Sequence, residues 1–195
     1  AIKRLRASRD GFTRFITSRM LETANVDIKT LDVIRIPDAV AATSFEKGTI
    51  DAVASGEPLL TRLKSTAPVW LAAEKVVPDF QWGTIAFSDR LLHKDRQSGV
   101  RFLRAYNRGV AQYLQGKTNR NIAIIAEATG QTPELIRQAC WLPFRSDLTV
   151  NWQGIEQFEA WAKKEGFIQE ILTRDQAMDS TFVTDLTHHS TATTQ

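Results

Sequence analysis

Gly48-Thr49-Ile50-Asp51-Ala52-Val53-Ala54-Ser55-Gly56-Glu57-Pro58 is the stretch whose reading decides the fold. Its nearly continuous apolar run, Ile50 to Ala54, has the pattern of a strand covered on both faces, as in a parallel sheet. Ser55 and Gly56 then lead into a Glu-Pro pair that opens a helix. A strand ending in small residues brings backbone close to a guest, and a helix starting at once aims free N–H groups at it. The same arrangement occurs earlier, where Lys3 to Ser8 leads through Arg9-Asp10-Gly11 into a helix beginning near Phe12. Two such edges in one α/β unit predict a binding cleft.

Outward from these edges the order is strand, helix, strand, helix, strand. Phe12, Phe15, Ile16 and Met20 recur at helical spacing, and Asn25 stops that helix. Leu31 to Ile36 reads as a β-branched strand. Pro37 then starts a helix with an inner face of Val40, Ala41, Ser44 and Phe45, ended by Gly48. After a short helix carrying Leu59, Leu60 and Leu63, Pro68 to Ala73 and Thr84 to Phe87 read as further strands, joined by a turn-rich connector through Trp82. From Asp89 onward nearly everything is helical. Asp95 to Gln115 carries a stripe of Leu103, Tyr106, Val110 and Tyr113. Asn119 to Thr129 follows, then a helix capped by Thr132 with Pro133 at its first position and running to about Cys140. Asn151 caps another, with Ile155, Phe158 and Ala162 inside and Gly166 at its end. The tail after Phe182 has no periodicity and is expected to be mobile.

Composition excludes several classes. With 195 residues, 43% of them hydrophobic, the chain can bury a real core. Its longest apolar run, Val69 to Ala73, is far short of the roughly 18 residues of a membrane span. The segment Ala1 to Arg6 has no apolar stretch and is not a signal peptide, so the signal of an exported protein would lie outside this chain. The formal charge is +3, but 25 basic residues are offset by 22 acidic ones and are scattered apart from Lys3 to Arg9, which argues against nucleic acid as a partner. The single cysteine, Cys140, permits no internal disulfide.

The order of these signals carries a resemblance. Arg9-Asp10-Gly11-Phe12-Thr13-Arg14-Phe15, Gly48-Thr49-Ile50-Asp51-Ala52, Glu57-Pro58, Gly83-Thr84-Ile85-Ala86-Phe87-Ser88 and Val100-Arg101-Phe102-Leu103-Arg104-Ala105-Tyr106 follow one another as in the substrate-binding proteins of ABC importers. The branch they look most like handles nitrate, sulfonates and taurine and shares its fold with thiamine-precursor-binding proteins. Val150-Asn151-Trp152 through Phe158-Glu159-Ala160-Trp161-Ala162 to Gly166-Phe167-Ile168 is similar to the same branch. The resemblance covers roughly Lys3 to Phe182.

That resemblance implies a type II periplasmic-binding-protein-like α/β fold, with one parallel-sheet lobe followed by a mainly helical part of the other. Residues 1–83 would be the second lobe, 84–88 a hinge strand, 89–182 the C-terminal helices of the first lobe and 183–195 a tail. An N-terminal segment with the first lobe's sheet would be a further partner of this chain. The implied function is capture of a small polar or anionic solute, such as a sulfonate, taurine or nitrate, for delivery to an ABC permease from the periplasm or cell-envelope exterior. No catalysis, cofactor or metal is expected.

The ligand-facing residues follow from both lines. Ser8, Gly11 and Thr13 lie where the first strand becomes a helix, and their hydroxyl and N–H groups suit an anionic oxygen at the positive end of the helix dipole. Arg9 and Arg14 offer forked recognition of a sulfonate or carboxylate. Glu57 meets the dipole of its own helix and suits a ligand amine, and Trp82 suits an apolar wall. Each has a plainer reading: Ser8 or Asp10 and Glu57 as helix caps, the arginines as exposed or paired with carboxylates. Trp70, Trp141, Trp152 and Trp161 are assigned to the core, and Cys140 to a buried structural position.

Two other functions compete. The thiamine-pyrimidine synthases share the fold but are marked by a cysteine-rich iron motif, which this chain lacks; His93 stands alone and His188-His189 lie in the tail. Sensory and regulatory ligand-binding domains are the alternative within the same fold.

Overall fold

A computed structural model describes residues 2–9 and 11–188. Asp10 and the 189–195 part of the expected tail lie outside the described residues. Three short parallel strands, β1 (Arg4–Arg6), β2 (Asp32–Ile34) and β3 (Ala52–Val53), form a sheet in the order β2-β1-β3. Leu5 stands opposite Val33 on one side and Ala52 on the other. The Asp51 carboxylate accepts from the N–H groups of both Lys3 and Arg4 at 2.8 Å, which locks β3 to β1 in that register.

The alternation of side chains across the pleat sends each helix to its face. Leu5 and Ala7, with Val33, Ala52 and Ala54, pack against Leu21 of α1 (Gly11–Glu22) and Ile28. Val53 and Ile36 pack on the opposite side against Ala41 of α2 (Asp38–Glu46) and Leu59 and Leu63 of α3 (Leu59–Leu63). α1 ends at Glu22, and Asn25 makes the turn in the left-handed region at φ 55°. Pro37 precedes α2, and Gly48 follows it at φ 68°. Of the inner face expected for α2, Val40 is exposed, because the helix turns Ala41, Ala42 and Phe45 toward the cluster with α3 instead.

The helices that follow are α4 (Arg96–Tyr113), α5 (Asn119–Thr129), α6 (Pro133–Gln138), α7 (Trp152–Lys164), α8 (Arg174–Ala177) and α9 (Thr181–His188). Contacts divide the chain into two units. One comprises 1–80, 131–140 and 153–171; the other comprises 81–130, 141–152 and 172–195. α6 and all but the first residue of α7 therefore belong with the sheet.

In the sheet-bearing unit, Phe15 of α1 is 3% exposed and lies in a ring cluster with Phe80, Phe158 and Trp161. In the other unit, Asp95 caps α4 by accepting from Ser98 N–H, and Leu103 and Val110 are buried beneath it. α9 lies against α4: Arg96 pairs with Asp179 and Asp185, donates to Thr181 Oγ1 and stacks 3.8 Å over the Phe182 ring. Gly99 permits that approach, since a Cβ there would sit 2.7 Å from Phe182 Cε1.

Five expectations need correction. Pro68 to Ala73 is not a strand, and Trp70 within it is 59% exposed rather than core. A short apolar run has no strand identity of its own until a neighbour supplies a ladder, and none does here. Thr84 to Phe87 is likewise extended without a ladder; the Phe87 ring packs on Phe102 and Phe182 instead. The chain after Phe182 is not patternless: Thr181–His188 is helical, anchored by Phe182 at 3% exposure. Cys140 is exposed, because α6 ends at Gln138 and carries only Ile136 and Ala139 inward.

Candidate functional site

The three strands end on one edge, and the order β2-β1-β3 makes the β1/β3 boundary the place where the chain's direction of winding reverses. The loop after β1 leads to a helix on one face of the sheet, and the loop after β3 leads to a helix on the other. Loops that part in this way leave a crevice outside the strand ends, the usual ligand position in open parallel sheets. Ser8, Gly11 and Thr13 stand on the first loop and the opening turn of α1, and Gly56 and Glu57 on the second. Gly11 takes φ +65°, a left-handed conformation that glycine adopts without steric cost.

Arg6 ties this edge together. Its guanidinium, 17% exposed, donates to Ile36 O beyond β2 and Ala54 O beyond β3, at 3.3 to 3.4 Å, and pairs with Asp38 at the start of α2. Sequence reasoning passed over Arg6. The available signal was a charged side chain at the end of a strand covered on both faces, a place that demands partners.

Glu57 is engaged within the protein. One carboxylate oxygen accepts from Thr61 N–H at 2.9 Å and caps α3; the other accepts from Cys140 N–H at 3.0 Å, and Lys64 Nζ lies 3.8 Å away. Burial by itself raises the Glu57 pKa, but the hydrogen bonds from Cys140 and Thr61 and the charge of Lys64 outweigh it, and the pKa is lowered. A depressed carboxylate pKa adds stability that is present above the unfolded value of about 4.3 and is lost as pH falls through the folded value. Glu57→Gln is therefore expected to lower the urea midpoint at pH 7 and to converge with the parent below about pH 4. Equal midpoints at pH 7 would show that the carboxylate contributes nothing there.

The arginines face elsewhere. Arg9 and Arg14, with Leu31, Val33 and Phe167, line an open depression of about 500 Å³ beside β2, the outer strand. Arg9 Nε donates to Val33 O at 3.2 Å, and Arg14 Nε is buried without a partner. A second depression, of about 470 Å³, lies at the far end of α1 among Ser18, Asp27 and Trp161. Neither is lined by Ser8, Gly11, Thr13, Glu57 or Trp82. Trp82 belongs to the other unit, half-buried in a segment where Gln81 bonds to Gly83 O and to Asn151 N–H. The structure thus separates the seven expected residues into a strand-end group, an arginine group and Trp82.

Compared with known protein families, residues 3–117 match the family described as NMT1/THI5 like, more than half of the chain. The chain belongs to the NMT1/THI5-like family. No curated protein matched it. The NMT1/THI5-like family is known for the substrate-binding proteins of ABC transporters and is generally a family of binding proteins rather than enzymes. The matched span contains the whole sheet, α1 to α4 and six of the seven expected residues within its first 57 positions, and Trp82 after them. Among the described residues no helix is long and apolar enough to cross a membrane, and no group of three or more His, Cys, Asp or Glu side chains is placed to hold a metal ion.

Proposed function

We propose that the chain is the solute-binding component of an ABC importer of the nitrate, sulfonate and taurine branch, working outside the membrane in the periplasm or cell-envelope exterior. It takes a small polar or anionic solute and hands it to a permease. The observation that carries this reading is the strand order β2-β1-β3, which brings the opening of α1 and the Ser55 to Pro58 turn together at the β1/β3 edge. There the N–H groups at the start of α1 and the positive end of its dipole suit an anionic oxygen. Ser8, Gly11 and Thr13 are the contacts of this reading. Glu57 holds the second loop in place from α3 and Cys140.

In the same reading the receptor is a two-lobed, type II binding protein. Residues 1–83 build one lobe, on which α6 and α7 pack, 84–88 act as the hinge, the rest of 89–182 supplies helices of the other, and Trp82 lines a wall next to the hinge. The chemistry is binding and release, without a covalent step.

Thermal unfolding with taurine, nitrate, ethanesulfonate and a hydroxymethyl-aminopyrimidine tests it. A ligand at a hundred times its Kd adds about 2.7 kcal/mol, which in a chain of this length is roughly 5–10 °C in Tm. One of the four is expected to give such a shift. A folded sample that none of them moves would sink the importer reading.

A further inference from the structure

We propose that the depression beside β2 is an anion site separate from the strand-end edge, built to take an organic anion with an apolar body. The inference stands on charge and geometry and is independent of the function proposed above.

Four cations and anions border the depression, and two of them are already satisfied. Lys29 is held by Glu165 at 2.9 Å, a bond that raises the lysine's pKa, and Asp32 lies 3.6 Å from Arg4. Arg9 and Arg14 remain. Among the described residues no carboxylate lies within ion-pair distance of either guanidinium. Arg9 is anchored through Nε to Val33 O, which fixes the guanidinium at the outer edge of β2. Arg14 Nε is buried with no hydrogen-bond partner. A buried donor of a charged group left unmade is costly, and an anion at the part of the Arg14 guanidinium that lines the depression would offset that cost through its charge. Two uncompensated guanidiniums bordering one depression select a negative head group, with the forked donor geometry that suits carboxylate and sulfonate.

The remaining wall is apolar. Leu31 and Val33, both half-buried, and Phe167, 45% exposed, line it. Phe167 is carried there by the end of α7: Gly166 turns at φ 77°, Phe167 N–H donates to Ala162 O at 2.8 Å, and its ring lies 5.3 Å from that of Trp161. An exposed aromatic ring held in place beside two unpaired guanidiniums matches an aryl or alkyl carboxylate or sulfonate better than a bare inorganic anion. In sequence these residues are far apart, and only the return of α7 to the sheet-bearing unit joins Phe167 to Arg14.

The test is a titration of the ¹⁵N-labelled full chain with benzoate and benzenesulfonate, with benzyl alcohol as the neutral counterpart. Both anions are expected to shift the amides of Arg14, Val33 and Phe167, and benzyl alcohol is not. Arg14→Gln is expected to raise the Kd for the anions about tenfold or more, since a charge-assisted hydrogen bond and a unit charge are lost together. Phe167→Ala is expected to raise it several-fold for the anions and to leave sulfate unaffected. Because Phe167 is exposed, that variant decides the matter if Arg14→Gln does not fold. Shifts confined to the Gly11 and Gly56 amides would place the anions at the strand-end edge and overturn the proposal. Unchanged affinity in both variants, or equal binding of benzyl alcohol, would do so too.

Discussion

Phe15→Ala is expected to cost about 3–5 kcal/mol, the largest stability loss of any single truncation in the sheet-bearing unit. The Phe15 side chain is 3% exposed and is the ring on which three others converge, with centroids 5.6 Å away at Phe80, 5.8 Å at Phe158 and 5.4 Å at Trp161. With Phe15 itself the four rings come from three separate stretches of chain, so collapse into the cavity would require α1, the segment at Phe80 and α7 to move together. That makes relaxation poor and keeps the cost near the upper end of the range for such changes. Because a domain's whole stability is about 5–15 kcal/mol, the variant is expected to be marginal at 37 °C. Phe15→Leu should recover most of the loss. Denaturant unfolding followed by tryptophan fluorescence, in which Trp161 is one of five emitters, measures the loss. A shift of less than about 1 kcal/mol would show that the ring cluster is not the core of that unit.

The second large effect is expected from Asn121→Asp, which changes a carboxamide N–H₂ to an oxygen and little else. Asn121 is 4% exposed. Its Nδ2 donates to Gln112 O at 2.8 Å and Gly116 O at 2.7 Å, and its Oδ1 accepts from Gln112 Nε2 at 2.9 Å. These bonds close the turn between α4 and α5 by giving a second donor to Gln112 O and Gly116 O, which also accept from Gln115 N–H and Thr118 N–H. An ionised carboxylate cannot donate, and would press a buried charge against two carbonyl oxygens, for about 3–5 kcal/mol at pH 7. The sign with pH follows. Burial against acceptors raises the introduced carboxyl's pKa above its unfolded value of about 3.9, so the penalty is absent below that value and grows as pH rises through it. The gap in urea midpoint between parent and variant should therefore be wide at pH 7 and narrow at pH 4. A gap independent of pH would mean that lost hydrogen bonds, and not charge, carry the effect. No gap at all would remove Asn121 from any structural role.

These two residues show which parts of the fold could be read in advance. Asn119–Thr129 was legible to the residue, because Thr118 caps it through Asn121 N–H and Gly130 ends it at φ 66°. Local chemistry marked both ends. The sheet was legible as an alternation of strand and helix, but its strands are only two or three residues long, with single hydrogen bonds such as Ala7 N–H to Ile34 O and Ala54 N–H to Arg6 O at their ends. The stretches at Pro68 and Thr84 failed as strands because no neighbouring strand offers them a ladder. The position of Glu57 at a helix start was readable from Glu57-Pro58. Its second partner, Cys140 N–H, lies 83 residues away and was not. That Arg14 and Phe167 border one depression was not legible, because the pairing depends on which unit α7 joins.

The division of the chain into its two units has a practical consequence for anyone cutting the gene. The backbone passes from one unit to the other at 80/81, 130/131, 140/141, 152/153 and 171/172. No single cut, and no pair of cuts, therefore releases either unit as one uninterrupted polypeptide. Truncation from either end removes part of a unit and strands the rest. A split placed anywhere between 81 and 171 would produce halves that each own pieces of both units, able to regain structure only by reassembling with each other.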